Sequence, residues 1–368
     1  MTDDVISRRS FLRLGAAAAM SPALGCVSCG SGRKRGGFPS WAETQLDDAV
    51  ARFKAWKGDD EVVAFTFVTD IHSRTTEQVD PPDFGDSRYH VLFTFAAADR
   101  AGCDFLVDGG DHDYEMGKPA PDEPLRRMAA TEAIYRAYSS KPVLFCLGNH
   151  DHGPFLGKGM PRPISSALFG DTFNGLSERH GFKLTFGSNR SWGYYDVPGK
   201  KFRAVFCNTS DFGYYGMSED QLGFVRRALE TLPEGSTAAV FGHFCVFDEI
   251  GHWKGAADCA KGKAAFMKVL ESFAKRRPNA LVGYFCGDSH FDNELEFRGV
   301  NWTVSQGYGG VGRHDKPWGA RFMPFDRTNA MCFELVGIKP SVGEFKMFRV
   351  GNGGVACDRA CIYFNRQS

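Results

Sequence analysis

Five apolar runs in this chain end in groups suited to binding metal ions. They are Asp70-Ile71-His72, Asp111, Asn149-His150-Asp151, His243, and Asp288-Ser289-His290. The last four follow Gly110, Gly148, Gly242 and Gly287, so a strand-type stretch breaks at a glycine and delivers polar side chains. Carboxylate, amide and imidazole are the donors that hard and borderline divalent or trivalent ions favour, and no thiolate is needed. Any one of these ends alone reads as a capped turn or a surface histidine. Five in sequence point to a metal site at the edge of a sheet.

The elements that must position these groups follow from periodicity. Residues 41–57 read as an amphipathic helix, with Trp41, Leu46, Val50 and Phe53 at near-helical spacing. Strands are expected over 61–69, 104–108 and 141–147, with helices over 87–101 and 122–138 between them. That βαβαβ order implies a largely parallel sheet, which holds its ligands at the strands' carboxyl ends. Further on, one helix is expected over 166–180 and strands over 192–197 and 202–208. Ser218 to Gln221 form a capping box ahead of a helix, and strands over 237–241 and 280–286 flank another helix at 261–277. Strand-like runs at 294–305, 331–338 and 345–350 are expected to complete a second sheet packed on the first.

With 368 residues, 33 Phe and 43% apolar residues, a thick layered core is affordable. Lys+Arg and Asp+Glu both number 44, so composition offers no nucleic-acid or polybasic membrane footprint. Ser7-Arg8-Arg9-Ser10-Phe11-Leu12-Arg13 resembles a twin-arginine export signal, and the alanine-rich stretch over 14–25 is too short to span a bilayer. Ala23-Leu24-Gly25-Cys26 resembles a lipoprotein cleavage box with Cys26 as the lipidated residue. The expected location is periplasmic or membrane-anchored, with membrane contact only through Cys26. Among the 11 cysteines, Cys103, Cys146, Cys207, Cys245 and Cys286 lie in or beside apolar runs, as buried thiols do. Cys357 and Cys361 are the pair to test for a bridge.

The ordered set DxH, GD, GNHD, GH and Gly287-Asp-Ser-His290 resembles the calcineurin-like metallophosphoesterase superfamily over residues 61 to 310. The resemblance implies an α/β fold, a four-layer αββα sandwich of two mixed sheets. The chain then divides into a signal segment (1–30), a linker and helix (31–60), the catalytic domain (61–310), and C-terminal strands completing the second sheet (311–368). It further implies that Asp70, His72 and His290 hold one metal, Asn149 and His243 a second, and that Asp111 bridges both. His150 would donate to the leaving oxygen, with Asp151 orienting its ring. The activity implied is hydrolysis of a small-molecule phosphate mono- or diester. The competing reading is a non-catalytic exported lipoprotein that retains the fold.

Two positions depart from the superfamily pattern. Asp288 stands where a histidine is usual; as a ligand it makes the second site oxygen-rich, favouring Mn or Fe, with Mg or Zn also open. Asp111-His-Asp-Tyr114 resembles the Asp-x-x-Tyr of purple acid phosphatases, but those lack the histidine of DxH, so Tyr114 is expected to wall the pocket. His112 and His152 are expected to line it. Arg74, Arg88, Arg313 and His252 are candidates for phosphate contacts, and Trp253 for the cleft wall.

Overall fold

Two β-sheets face each other across an aromatic core, and helices cover their outer sides. The computed structural model describes residues 38–73, 90–112, 122–153, 163–211, 216–247, 262–307 and 331–363. In chain order the first half comprises α1 (Ser40–Lys57), β1 (Val63–Val68), α2 (Val91–Ala101), β2 (Phe105–Asp108), α3 (Glu123–Tyr138), β3 (Val143–Phe145), α4 (Ser166–Thr172), α5 (Asn174–Arg179), β4 (Thr185–Phe186) and β5 (Gly193–Asp196). The second half comprises β6 (Phe202–Phe206), α6 (Glu219–Glu230), β7 (Thr237–Phe241), α7 (Lys263–Arg276), β8 (Leu281–Cys286), β9 (Asn293–Phe297), β10 (Val300–Val304), β11 (Cys332–Lys339), β12 (Glu344–Gly351) and β13 (Arg359–Ile362).

One sheet runs β13-β12-β11-β1-β2-β3 and the other β4-β5-β6-β7-β8-β10-β9. Both are mixed: β1–β2–β3 and β6–β7–β8–β10 pair in parallel, while the flanking strands pair antiparallel. The expected four-layer sandwich is therefore present. Its layering follows from strand periodicity. In β1, Val63, Phe65 and Phe67 point between the sheets, while Ala64 and Val68 pack with the helices. In β7, Ala239 and Phe241 face inward, and Ala238 and Val240 meet the helical layer over the second sheet. Phe65 stacks on Phe105 at 5.0 Å and meets Phe241 edge-on at 5.3 Å, which locks the sheets together.

Three expectations need correction. The C-terminal strands do not complete the second sheet: β11 pairs antiparallel with β1, from Val63↔Ile338 to Phe67↔Glu334, so β11–β13 extend the first. β1 has β2 on one side only, and a buried strand needs its other row of backbone groups satisfied. The helix expected over 166–180 is two, α4 and α5, meeting at Phe173. This bend lets Asn174 bond to both backbone groups of Phe145, at 2.9 and 3.1 Å, and lets Ser177 do the same at Val143, at 3.0 and 2.9 Å. The open edge of β3 is thereby covered. Finally, all eight described cysteines are free thiols, Cys357 and Cys361 included.

Candidate metal centre

The five strand ends converge at one edge of the sandwich, and their backbone is unusual there. Seven described non-glycine residues have positive φ, and five of them are Asp70 (54°), His72 (48°), Asp111 (59°), Asp288 (65°) and His290 (56°). Left-handed backbone costs energy for residues with a Cβ, and such strain collects at functional sites. The turns pack without room to spare: a Cβ on Gly148 would overlap Asp111 Oδ1. Main-chain bonds tie neighbouring ends together, from Asp70 N–H to Gly110 O at 2.8 Å and from His72 N–H to Asp111 O at 2.9 Å.

The side chains form a continuous cluster. His72 Nε2 lies 2.9 Å from His290 Nε2, and Asp70 Oδ1 lies 3.2 Å from His290 Nε2 and 3.8 Å from His72 Nε2. Asp111 Oδ2 stands 3.3 Å from His243 Nε2, 3.8 Å from His72 Nε2 and 3.9 Å from His150 Nε2. His243 Nε2 is also 3.2 Å from Asn149 Oδ1 and 3.8 Å from Asp288 Oδ1. Gly109 O accepts from His243 Nδ1 at 2.7 Å, so Nε2 is the nitrogen turned toward the cluster. Thr69 Oγ1 and the Asp288 N–H donate to Asp70 Oδ2, which leaves Oδ1 buried with no hydrogen-bond donor among the described residues. Donor atoms about 2.1 Å from one ion stand about 3 Å apart, so this spacing fits metal ligation. An orphaned carboxylate oxygen facing two imidazole nitrogens has no other evident partner.

A model of the calcineurin-like phosphoesterase family matches residues 63–292, more than half of the chain. The chain belongs to this family. In fold it is similar to a dimetal phosphatase from Danio rerio, at 14% identity, covering 83% of this chain and 100% of that one with a TM-score of 0.55. It is also similar to a purple acid phosphatase from yellow lupin (Lupinus luteus) seeds, at 14% identity over 79% of this chain and 52% of that one, with a TM-score of 0.47. No curated protein sequence matches significantly.

Within this phosphoesterase site, burial and neighbouring charge compete at every group. Burial would push Asp111 up, but His243, His150 and His72 outweigh it and hold the carboxyl well below its usual range. Burial and the proximity of His290 push His72 down to about 3. At His243 and His290 the carboxylates outweigh burial and raise the imidazoles. Asp288 goes the other way: burial, with Asp111 and Asp70 close by, lifts it to about 7. Without a cation, then, the site carries protons that a metal must displace. Manganese affinity is therefore expected to rise between about pH 6 and about pH 8, with net proton release. Titration calorimetry in buffers of different ionisation enthalpy measures both, and an affinity flat across that range would contradict this electrostatic account.

The surroundings of Asp151 contradict its expected role. It does not orient His150. Its Oδ2 accepts from the N–H groups of Gly148 (2.8 Å) and Asp111 (2.9 Å), and its Oδ1 from the N–H (2.7 Å) and Nδ1 (3.0 Å) of His112. A buried carboxylate beside three turn amides and an imidazole satisfies those donors first. His112, expected only to line the pocket, is instead held between Asp151 and Asp108, and the two carboxylates outweigh burial to raise its pKa well above the ordinary value. The Asp108-x-x-x-His112 spacing was the available signal. His152 is also structural, its ring nitrogens 2.8 Å from Ile164 O and 3.0 Å from Ser210 O. Tyr114, Arg74, Arg88, His252, Trp253, Arg313 and Cys26 lie outside the described residues.

Proposed function

We propose that this chain hydrolyses phosphoric mono- or diesters of small molecules at a two-metal centre. The observation that carries the reading is Asp111 Oδ2, one oxygen standing 3.8 Å from His72 Nε2 of the first sheet and 3.3 Å from His243 Nε2 of the second. A carboxylate in that place supplies the negative charge two adjacent cations need. Asp70, His72 and His290 would hold one ion; Asn149, His243 and Asp288 the other. The two ions supply Lewis-acid polarisation of a phosphoryl oxygen and lower the pKa of a water. His150, whose N–H fixes Asp111 Oδ1 at 2.9 Å, keeps its side chain 12% exposed at the mouth of the cluster. From there its imidazole donates a hydrogen bond to the leaving oxygen.

Asp288 in place of a histidine favours Mn or Fe over Zn, because carboxylates suit the harder ions. The arginine pair at Arg8-Arg9 supports export and action outside the cytoplasm. The test is hydrolysis of chromogenic phosphate mono- and diesters by metal-depleted protein, resupplied in turn with Mn, Fe, Zn and Mg. Turnover dependent on Mn or Fe is the expected result. Bound metal with no turnover on any ester would favour a non-catalytic exported lipoprotein instead.

A further inference from the structure

We propose that His112 is a positioning residue for the bridging carboxylate, acting through Asp151. This rests on the two-metal reading above. Asp111 is held twice: its main-chain N–H is bonded by Asp151 at 2.9 Å, and its Oδ1 accepts from the N–H of His150, the residue before Asp151, at 2.9 Å. Where Asp151 goes, both restraints on Asp111 go with it. Asp151 in turn is fixed by His112 Nδ1 at 3.0 Å.

The far side of the ring faces a second carboxylate at ion-pair distance. His112 Nε2 lies 3.0 Å from Asp108 Oδ2, Tyr135 Oη donates to the same oxygen, and the Gly110 N–H donates to Asp108 Oδ1 at 3.0 Å. The ring lies parallel to Phe173 at 4.9 Å, with interplanar angle 6°. His112, Asp108 and Asp151 are all at most 4% exposed. The result is a buried chain, Tyr135–Asp108–His112–Asp151, that clamps the turn after β2 against the turn after β3. Asp111, in left-handed backbone at φ 59°, sits between the clamped ends. Groups that orient metal ligands from behind are worth about 10–100-fold in metal affinity.

The test is Mn titration by calorimetry into metal-depleted full-length protein, with melting temperature read in parallel. His112→Leu is expected to weaken Mn binding about 10–100-fold, and His112→Asn, whose amide can replace the Nδ1 donor to Asp151, to recover part of that loss. A purely space-filling role ranks them oppositely, since Leu suits the apolar ring of Phe145, Phe169 and Phe173 better than Asn does. Leu270→Ala, a cavity under the second sheet's helices, controls for lost stability and should retain parental affinity. Should His112→Leu fail to fold, Tyr135→Phe deletes one donor to Asp108 and is expected to weaken Mn binding in the same direction. Parental affinity in these variants, or Leu binding Mn as well as Asn does, overturns the role of His112 while the two-metal reading stands. A parent chain that binds no Mn sinks that reading, and the role with it.

Discussion

Asp111→Asn is expected to yield a folded protein that binds at most one Mn ion per chain and hydrolyses esters at least about 10²-fold more slowly than the parent. Asn keeps an acceptor for the His150 N–H, and the main-chain bond to Asp151 does not involve the side chain. What disappears is the charge facing His72, His150 and His243, three imidazoles from separate strand ends. With no shared anion, the second cation meets the first unshielded. The loss should therefore appear in stoichiometry as well as in kcat. The change also removes the main partner that raises His243, so its imidazole gives up its proton at lower pH than in the parent. Metal content by mass spectrometry, alongside the ester assay, decides the matter. A variant with two tightly bound ions and parental turnover would show that Asp111 is not the shared ligand.

The ligand set was legible because its chemistry is local. An apolar strand that stops at a glycine and continues with Asp, Asn or His announces a polar turn, and five such turns in one order leave little freedom. Non-local pairing was not legible. β11 joins β1 across nearly three-quarters of the chain, and nothing in the alternation of Cys332 to Lys339 names the strand beside it. Asp151 illustrates a different limit: adjacency to His150 suggested a partner, whereas the three-dimensional turn offered it three backbone N–H groups and another ring. Glu334 and Arg349 were a missed signal of the readable kind. Each is a charged residue flanked by apolar neighbours, Phe333 and Leu335 or Phe348 and Val350, and each proves fully buried, which requires a buried counter-charge.

That counter-charge is supplied across the sheets, and breaking it should cost more stability than any other single change considered. Arg349 Nη2 donates to Asp292 Oδ1 and Glu334 Oε1, both at 2.6 Å, and Arg359 Nη2 reaches Glu334 Oε1 at 3.0 Å. Two cations and two anions thus balance out of contact with water. Arg349→Met leaves one uncompensated buried carboxylate, a change worth about 3–5 kcal/mol, against a total stability of about 5–15 kcal/mol for a typical domain. Although burial opposes it, Asp292 is held below its usual pKa chiefly by Arg349, with Arg359 helping. A depressed carboxylate contributes stability that is present above its unfolded pKa of about 4 and is lost as pH falls through the folded value. Without Arg349, burial, the largest influence on this group, lifts the folded Asp292 carboxyl above its unfolded pKa, so the deficit relative to the parent should narrow as pH falls from about 7 toward about 4 and the variant's carboxyl takes up a proton. Denaturant unfolding at both pH values measures this. Adding Glu334→Gln to Arg349→Met restores charge balance with Arg359 and should recover much of the loss; a double variant no more stable than the single would show that packing, not charge, sets the cost. Asp292 also accepts the Gln306 N–H at 2.9 Å and stands two residues beyond His290, so the same ion cluster anchors the second sheet's ligand turn against the first sheet. The single variant should accordingly lose Mn affinity along with stability, and the double variant should regain both together.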